Sequence, residues 1–460
     1  MIAAQLLAIN DFINGIVWGP PFMILLVGTG LYLTVRIGFF QFTHLGYAWR
    51  HTFGPVLRRI RSDAAGAITP FQAVASAMAA TIGVGNIAGV STAIALGGPG
   101  AVFWMWMVAL VGMATKFAEA TLGLKYRHID EHGRVSGGVF YYIEKGLGPQ
   151  WKALAIVYAF FAGIAAFGIG NMVQANTMAH AMETGFAVPP WVTGIVAVVL
   201  VGIVTLGGIK RIAATAEKIV PTMAVLYIIA ALIIVVLNIG RVPWAIGHII
   251  SDAFTPASAV GGFAGATVWQ AMRYGIARGI FSNEAGLGSA SIVHAQAQNT
   301  PVGQGLWGIW EVFIDTIVVC TMTALVILTT GVYATGTTGA ELTAAAFTTG
   351  LPGPGGLIVQ FALALFAYAT MLTWNFYGEK SWEYIAGERV VMPYRVIFLG
   401  FLFLGAIGAL EVIWDIADTL NGLMAAPNLI ALIALAGVLA KEKDTHMAGV
   451  AATTPATGGD

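Results

Sequence analysis

The chain has 460 residues, of which 58% are hydrophobic and only 10% charged, and its formal net charge is zero. A soluble domain carries about 25% charged residues, so this composition, with a mean hydropathy of +0.82, excludes a soluble class and points to a polytopic membrane protein. The charge balance suggests neither a nucleic-acid nor an acidic partner, and a single cysteine, Cys320, excludes an intramolecular disulfide.

Eleven apolar segments of spanning length are predicted, near residues 15–36, 69–95, 98–124, 151–182, 191–208, 217–239, 262–296, 303–330, 355–378, 393–412 and 414–440. The seventh is too long for one straight span and is expected to contain an entry loop and a break. Basic residues follow five of the six odd-numbered segments. Arg36, Arg50, Arg58, Arg59 and Arg61 follow the first. Lys125, Arg127, Arg134 and Lys145 follow the third, and Lys210, Arg211 and Lys218 the fifth. Lys380, Arg389 and Arg395 follow the ninth, and Lys441 and Lys443 the eleventh. The positive-inside rule makes this basic face cytoplasmic. The N-terminus is then outside and the C-terminus inside, as an odd number of spans requires. No signal peptide is expected. Residues 243–254 and 139–147 read as interfacial helices, the latter with Tyr141 and Tyr142 at headgroup depth. The tail after Glu442 is rich in Ala, Thr, Gly and Pro and reads as disordered.

The second segment carries Ala80-Thr81-Ile82-Gly83-Val84-Gly85-Asn86-Ile87-Ala88-Gly89. Glycine costs a helix about 1 kcal/mol relative to alanine, and an amide facing lipid costs more. The run therefore reads as a broken helix whose freed backbone groups face a cavity. Backbone N–H groups of Gly83 and Gly85 would take an amino-acid carboxylate. The Thr81 carbonyl and the Asn86 side chain would offer oxygens to sodium, a hard cation. Close helix packing explains Gly89 and Ala93 equally well, but not Asn86.

Asn86-Ile-Ala-Gly89-Val-Ser91-Thr-Ala93 echoes Asn283-Glu-Ala-Gly286-Leu-Gly288-Ser-Ala290. The two copies lie in segments of opposite direction, the second and the seventh. Segments two to six and seven to eleven then form two inverted five-helix units, a pattern that points to a transporter site. The expected organisation is an extra N-terminal helix and basic loop (1–68), a first repeat (69–240), a second repeat (241–440) and a tail (441–460).

The runs Ala80–Ala88, Gly97-Gly98-Pro99-Gly100, Thr115-Lys116-Phe117-Ala118-Glu119, Gly279-Ile280-Phe281-Ser282-Asn283-Glu284-Ala285-Gly286 and Asn375-Phe376-Tyr377-Gly378-Glu379-Lys380 closely resemble the alanine/glycine:cation symporter family. The resemblance implies an all-α membrane protein with the five-plus-five inverted repeat of the leucine transporter fold, preceded by one extra helix. It also implies import of alanine or glycine driven by sodium, or less often by protons, with no covalent cofactor and no nucleic-acid or protein partner.

By the same resemblance Gln174, in a segment with Asn171 and Asn176, is a substrate contact. A second sodium site would join Thr370 or Thr373 to the carbonyls of Ala79 and Ile82. Trp374 would limit substrate size, because a bulky ring leaves room for a methyl group but not for a leucine side chain. In the seventh segment Gly275 and Gly279 permit a break. Carbonyls freed near Ala277 to Phe281 could accept the substrate ammonium, with Phe281 as a lid. Interhelical hydrogen bonding and core packing are the plainer readings of these amides, threonines and rings. Lys116, Glu119, Glu311 and Asp315 form an intramembrane charge network. Glu311 and Asp315 share a helical face and require a cation, a proton or a basic side chain. A proton-coupled or glutamine-preferring carrier is the nearer alternative. A channel would need charge rings or a filter repeat, and an enzyme a nucleophile with a base; neither pattern is present.

Overall fold

The structure, a computed structural model, describes residues 2–58, 64–131, 133–258, 264–408 and 411–453. It is nearly all helical. A two-stranded hairpin, His128–Ile129 with Val135–Ser136, lies in the loop after the third segment. Each of the eleven expected segments is helical. Among the described residues eight helices are long and apolar enough to cross a membrane, and a ninth span is the bent pair Pro70–Thr81 and Gly85–Gly97. The remaining two segments are Pro190–Thr205 and the interrupted seventh, Val268–Asn283 followed by Ala290–His294.

The second and seventh segments start alike. Thr69 caps its helix by accepting from Gln72 N, and the Gln72 side chain accepts from Thr69 N; Thr267 and Gln270 repeat the arrangement. Each pair satisfies two N–H groups that a helix start leaves open. The inverted echo therefore begins well before the two asparagines.

The second segment breaks where expected. Its halves meet at 48° across Ile82–Val84, and Gly85–Gly89 restarts as a π-helical turn. The seventh breaks elsewhere. Val268–Asn283 is one continuous helix, and the interruption runs from Glu284 to Ser289, where Glu284, Gly286 and Gly288 have φ of 55°, 98° and 79°. The carbonyls at Ala277 to Phe281 are thus within the helix, and Ile280 O accepts from Glu284 N at 2.8 Å. Gly275 and Gly279 serve packing against Gly100–Lys125. A Cβ on Gly275 would lie 2.3 Å from the Ala101 carbonyl, and one on Gly279 2.6 Å from Val108 Cγ1.

Two further expectations are corrected. Tyr142 is fully buried and its hydroxyl donates to Asn428 Oδ1, so it is not a headgroup residue. The last helix runs without interruption from Glu411 to Thr453. Its end is anchored by Glu442 to Lys125 at 2.5 Å, by Lys443 Nζ to the Ile37 carbonyl at 3.1 Å, and by His446 Nε2 to Tyr47 Oη at 2.8 Å. Those contacts keep a weakly apolar sequence helical; residues 454–460 lie outside the described part.

Candidate functional site: the junction of two interrupted helices

A helix that stops inside a protein must satisfy its open backbone groups locally. At the first break Asn86 does this. Its Oδ1 accepts from Gly83 N at 2.8 Å, and its Nδ2 donates to Asp315 Oδ1 at 2.6 Å. Two expectations change as a result. Gly83 N–H is already committed, and the Asn86 oxygen is turned inward onto the break. Gly83 and Gly85 act as points of close approach. A Cβ on Gly83 would lie 2.7 Å from Thr370 Oγ1, and one on Gly85 3.1 Å from Ser282 Cα.

Asp315 is the hub. Its Oδ2 accepts from Ser282 Oγ at 2.9 Å and from Thr316 Oγ1 at 2.8 Å. Thr316 Oγ1 in turn accepts from Asn283 Nδ2 at 3.0 Å. The Cys320 thiol, fully buried, lies 3.4 Å from both Asn86 Nδ2 and Ser282 Oγ. One carboxylate thus joins the first break, the end of the seventh-segment helix and the eighth segment through neutral donors. Ser282, Asn283 and Thr316 were missed as site residues. The visible signal for Ser282 and Asn283 was the echo that starts at Asn283; Thr316, in the eighth segment, carried none.

The ninth segment closes the other side of the first break. Thr370 Oγ1 donates to the Ala79 carbonyl at 3.1 Å. Thr373 Oγ1 donates to the Ser76 carbonyl at 2.9 Å, one turn before the expected partners. Thr81 Oγ1 lies 3.4 Å from the Ala77 carbonyl of its own helix. Ile82 N donates to the Met78 carbonyl at 2.7 Å.

Glu311 and Asp315 bind separate sets of partners. Phe313–Cys320 is π-helical, and the two carboxylates lie four residues apart across its start. Glu311 lies 3.1 Å from Lys116 Nζ, an ion pair without hydrogen-bond alignment, and accepts from His294 Nε2 at 2.9 Å. Gln304 Nε2 meets His294 Nδ1 at 2.7 Å, so the imidazole bridges Gln304 and Glu311. Glu119 caps the second break. Its Oε1 accepts from Gly286 N at 2.9 Å, Gly288 N at 3.1 Å and Asn428 Nδ2 at 2.8 Å, with Lys116 Nζ 4.0 Å from Oε2. All four members of the expected charge network are fully buried, but they form two groups.

Trp374 is buried, and its Nε1 donates to Glu284 Oε1 at 3.0 Å. Gln174 Nε2 donates to the Ile169 carbonyl at 2.9 Å, while its buried Oε1 has no partner among the described residues. Phe281 forms the floor of a cavity of ≈ 310 Å³ that Arg278, Asn176, His180 and Ala88 also line. The Arg278 guanidinium lies 5.5 Å from the Phe281 ring centroid and 3.8 Å from Asp418. Ala277 is only half-buried, on the same helix.

The profile of the sodium:alanine symporter family matches residues 3–454. The chain belongs to the sodium:alanine symporter family. Within that family it is 49% identical to the sodium/alanine symporter AgcS of Methanococcus maripaludis, over 94% of this chain and 95% of that one. It is also 49% identical to an uncharacterized transporter of Haemophilus influenzae, over 95% of each chain. Its fold resembles the crystal structure of MhsT in complex with L-phenylalanine, with a TM-score of 0.57 over 83% of this chain and 99% of that chain at 13% identity. This member of the sodium:alanine symporter family therefore has the leucine-transporter-like fold, and it is a transporter rather than an enzyme.

Proposed function

We propose that the protein imports alanine or glycine together with sodium across a prokaryotic inner membrane by alternating access, with its basic face in the cytoplasm. The observation that carries this reading is the junction at the first break, where Asn86, Ser282 and Thr316 converge on Asp315 from three segments. A buried carboxylate flanked by two hydroxyls and a side-chain amide that can turn its oxygen inward suits a hard monovalent cation. Such a charge in a dry interior also needs one to offset its desolvation. Sodium at this junction would take Asp315, the Ser282 hydroxyl, the Thr81 carbonyl and the Asn86 amide turned to present its oxygen. A second sodium would be held by the Thr370 and Thr373 hydroxyl oxygens, rotated away from the Ala79 and Ser76 carbonyls to which they now donate, together with the Ala79 and Ile82 carbonyls.

Each ion would hold the broken segment against its neighbours. That orders the Gly85 region for the substrate carboxylate and sets Gln174, Phe281, Ala277 and Trp374 around a small side chain. Ion and substrate then favour each other by linkage. The 49% identity to a sodium/alanine symporter supports the substrate class.

Uptake of labelled alanine into proteoliposomes tests the reading, with an inward sodium gradient in one arm and a proton gradient without sodium in the other. Sodium-dependent accumulation is expected. Accumulation driven by protons alone would overturn sodium coupling and assign the ion site to a proton on Asp315. Failure of both arms, with glutamine concentrated instead, would overturn the substrate.

A further inference from the structure

Glu284 is out of place by two criteria. It is a non-glycine residue with a left-handed backbone, φ 55° and ψ 16°, at the point where the seventh-segment helix stops. Its carboxylate is also only 4% exposed. Asn or Gly would adopt this backbone more readily, and any small residue would avoid burying a carboxylate. Residues held under such constraints are retained where the surrounding structure needs them.

The carboxylate has two uses. Oε2 accepts from the Ser289 hydroxyl, which ties together the two ends of the interruption. Oε1 accepts from Trp374 Nε1 at 3.0 Å. On its other side the indole is pressed against Gly170, where a Cβ would fall 2.2 Å from Trp374 Cβ. The Trp374 and Tyr377 rings meet edge-on with centroids 5.5 Å apart. The indole is thus clamped by packing on one side and by a single directional bond on the other. Of these, only the bond comes from the interrupted segment.

We infer that Glu284 is a positioning residue for substrate size: by holding the Trp374 indole it keeps the pocket closed to side chains larger than a methyl group. This rests on the alanine/glycine reading above. The acceptor oxygen matters and the negative charge does not. A glutamine at 284 retains a carbonyl for the indole N–H, whereas an alanine leaves a buried N–H unpaired and frees the ring to rotate. One or two methylene groups of size discrimination correspond to about 10-fold or more in selectivity.

The test is the ratio of alanine to leucine uptake in proteoliposomes for the wild type, Glu284→Ala, Glu284→Gln, Trp374→Phe and the Glu284→Ala/Trp374→Phe double variant. Glu284→Ala is expected to lower the ratio about 10-fold or more, Glu284→Gln to keep it near the wild-type value, and the double variant to match Trp374→Phe alone, because Glu284 acts through the indole. An unchanged ratio in Glu284→Ala with intact uptake overturns the inference. So does a Glu284→Gln variant as relaxed as Glu284→Ala, or additive effects in the double variant. If Glu284→Ala does not fold, Glu284→Gln and Trp374→Phe decide: both ratios unchanged from the wild type means that the bond does not set size. Absence of alanine uptake by the wild type would instead remove the symport reading on which this inference stands.

Discussion

Asn86 and Asp315, 229 residues apart in the chain, are joined twice: Asn86 Nδ2 donates to Asp315 Oδ1 at 2.6 Å and to the Asp315 backbone carbonyl at 3.1 Å. The same asparagine accepts from Gly83 N through its oxygen. One amide therefore both completes the end of a half-helix and fixes that end to a π-helical turn of the eighth segment.

Replacing Asp315 by Asn tests the ion assignment directly. The half-saturating sodium concentration for alanine uptake is expected to rise about 10-fold or more, equivalent to about 1.4 kcal/mol. The apparent alanine affinity should weaken in parallel at fixed sodium, because the coupling is reciprocal. A sodium titration of uptake reads both quantities. An unaltered sodium curve would place the ion elsewhere.

Asn86→Ala removes a donor and an acceptor at a fully buried position. It strands Gly83 N–H and removes both bonds to Asp315, at about 1–3 kcal/mol for each stranded group. Thermal unfolding in detergent should show a lower midpoint, and sodium-driven uptake should be lost. A variant that unfolds like the wild type and transports normally would show that the amide is dispensable.

At Thr370 the contrast is between Ser and Val. Thr370→Ser keeps the oxygen that meets the Ala79 carbonyl and is expected to retain sodium affinity within a few-fold. Thr370→Val keeps the shape and loses the oxygen, so its half-saturating sodium concentration should rise about 10-fold. Equal behaviour of the two variants would mean that the hydroxyl only packs.

Gly275→Ala addresses packing. The added methyl would meet the Ala101 carbonyl at 2.3 Å, and backbone has little room to yield, so a loss of about 1–3 kcal/mol is expected. Gly46→Ala is the control, because a Cβ there meets nothing within 4 Å and alanine favours a helix by about 1 kcal/mol. Melting curves of the two variants in one detergent should shift in opposite directions.

The first break was legible because Gly83, Gly85 and Asn86 are each poor choices for a lipid-facing helix and stand together. The second was misplaced because Gly275 and Gly279 carry the same local signature as breaking glycines, although they exist to admit the third segment. The residues that do interrupt the helix, Gly286 and Gly288, lay inside the recognised echo. Only their positive φ, set by the Glu119 carboxylate accepting from both N–H groups, separates them from packing glycines. The partners of Asn86 and Glu119 were not legible at all, and the helix facing Thr373 was legible only through the family resemblance. Each bond crosses more than 150 residues, and residue type alone does not specify which distant helix comes alongside. That Glu311 pairs with Lys116 and His294 while Asp315 turns to Asn86 and Ser282 was likewise outside what spacing along one helix announces.

The final helix has a consequence for how the protein can move. Near its start Thr419 accepts from Asn14, and near its end Lys443 and His446 hold Ile37 and Tyr47. Both ends are therefore fastened to the first 50 or so residues of the chain, across a rod of about 40 Å at 1.5 Å per residue. Together these terminal parts form a closed brace. Asn428, midway along the rod, donates to Glu119 and to the Gly286 carbonyl. The second break is thus tied to a frame fastened near both ends, and moving the break apart from that frame requires those two bonds to part.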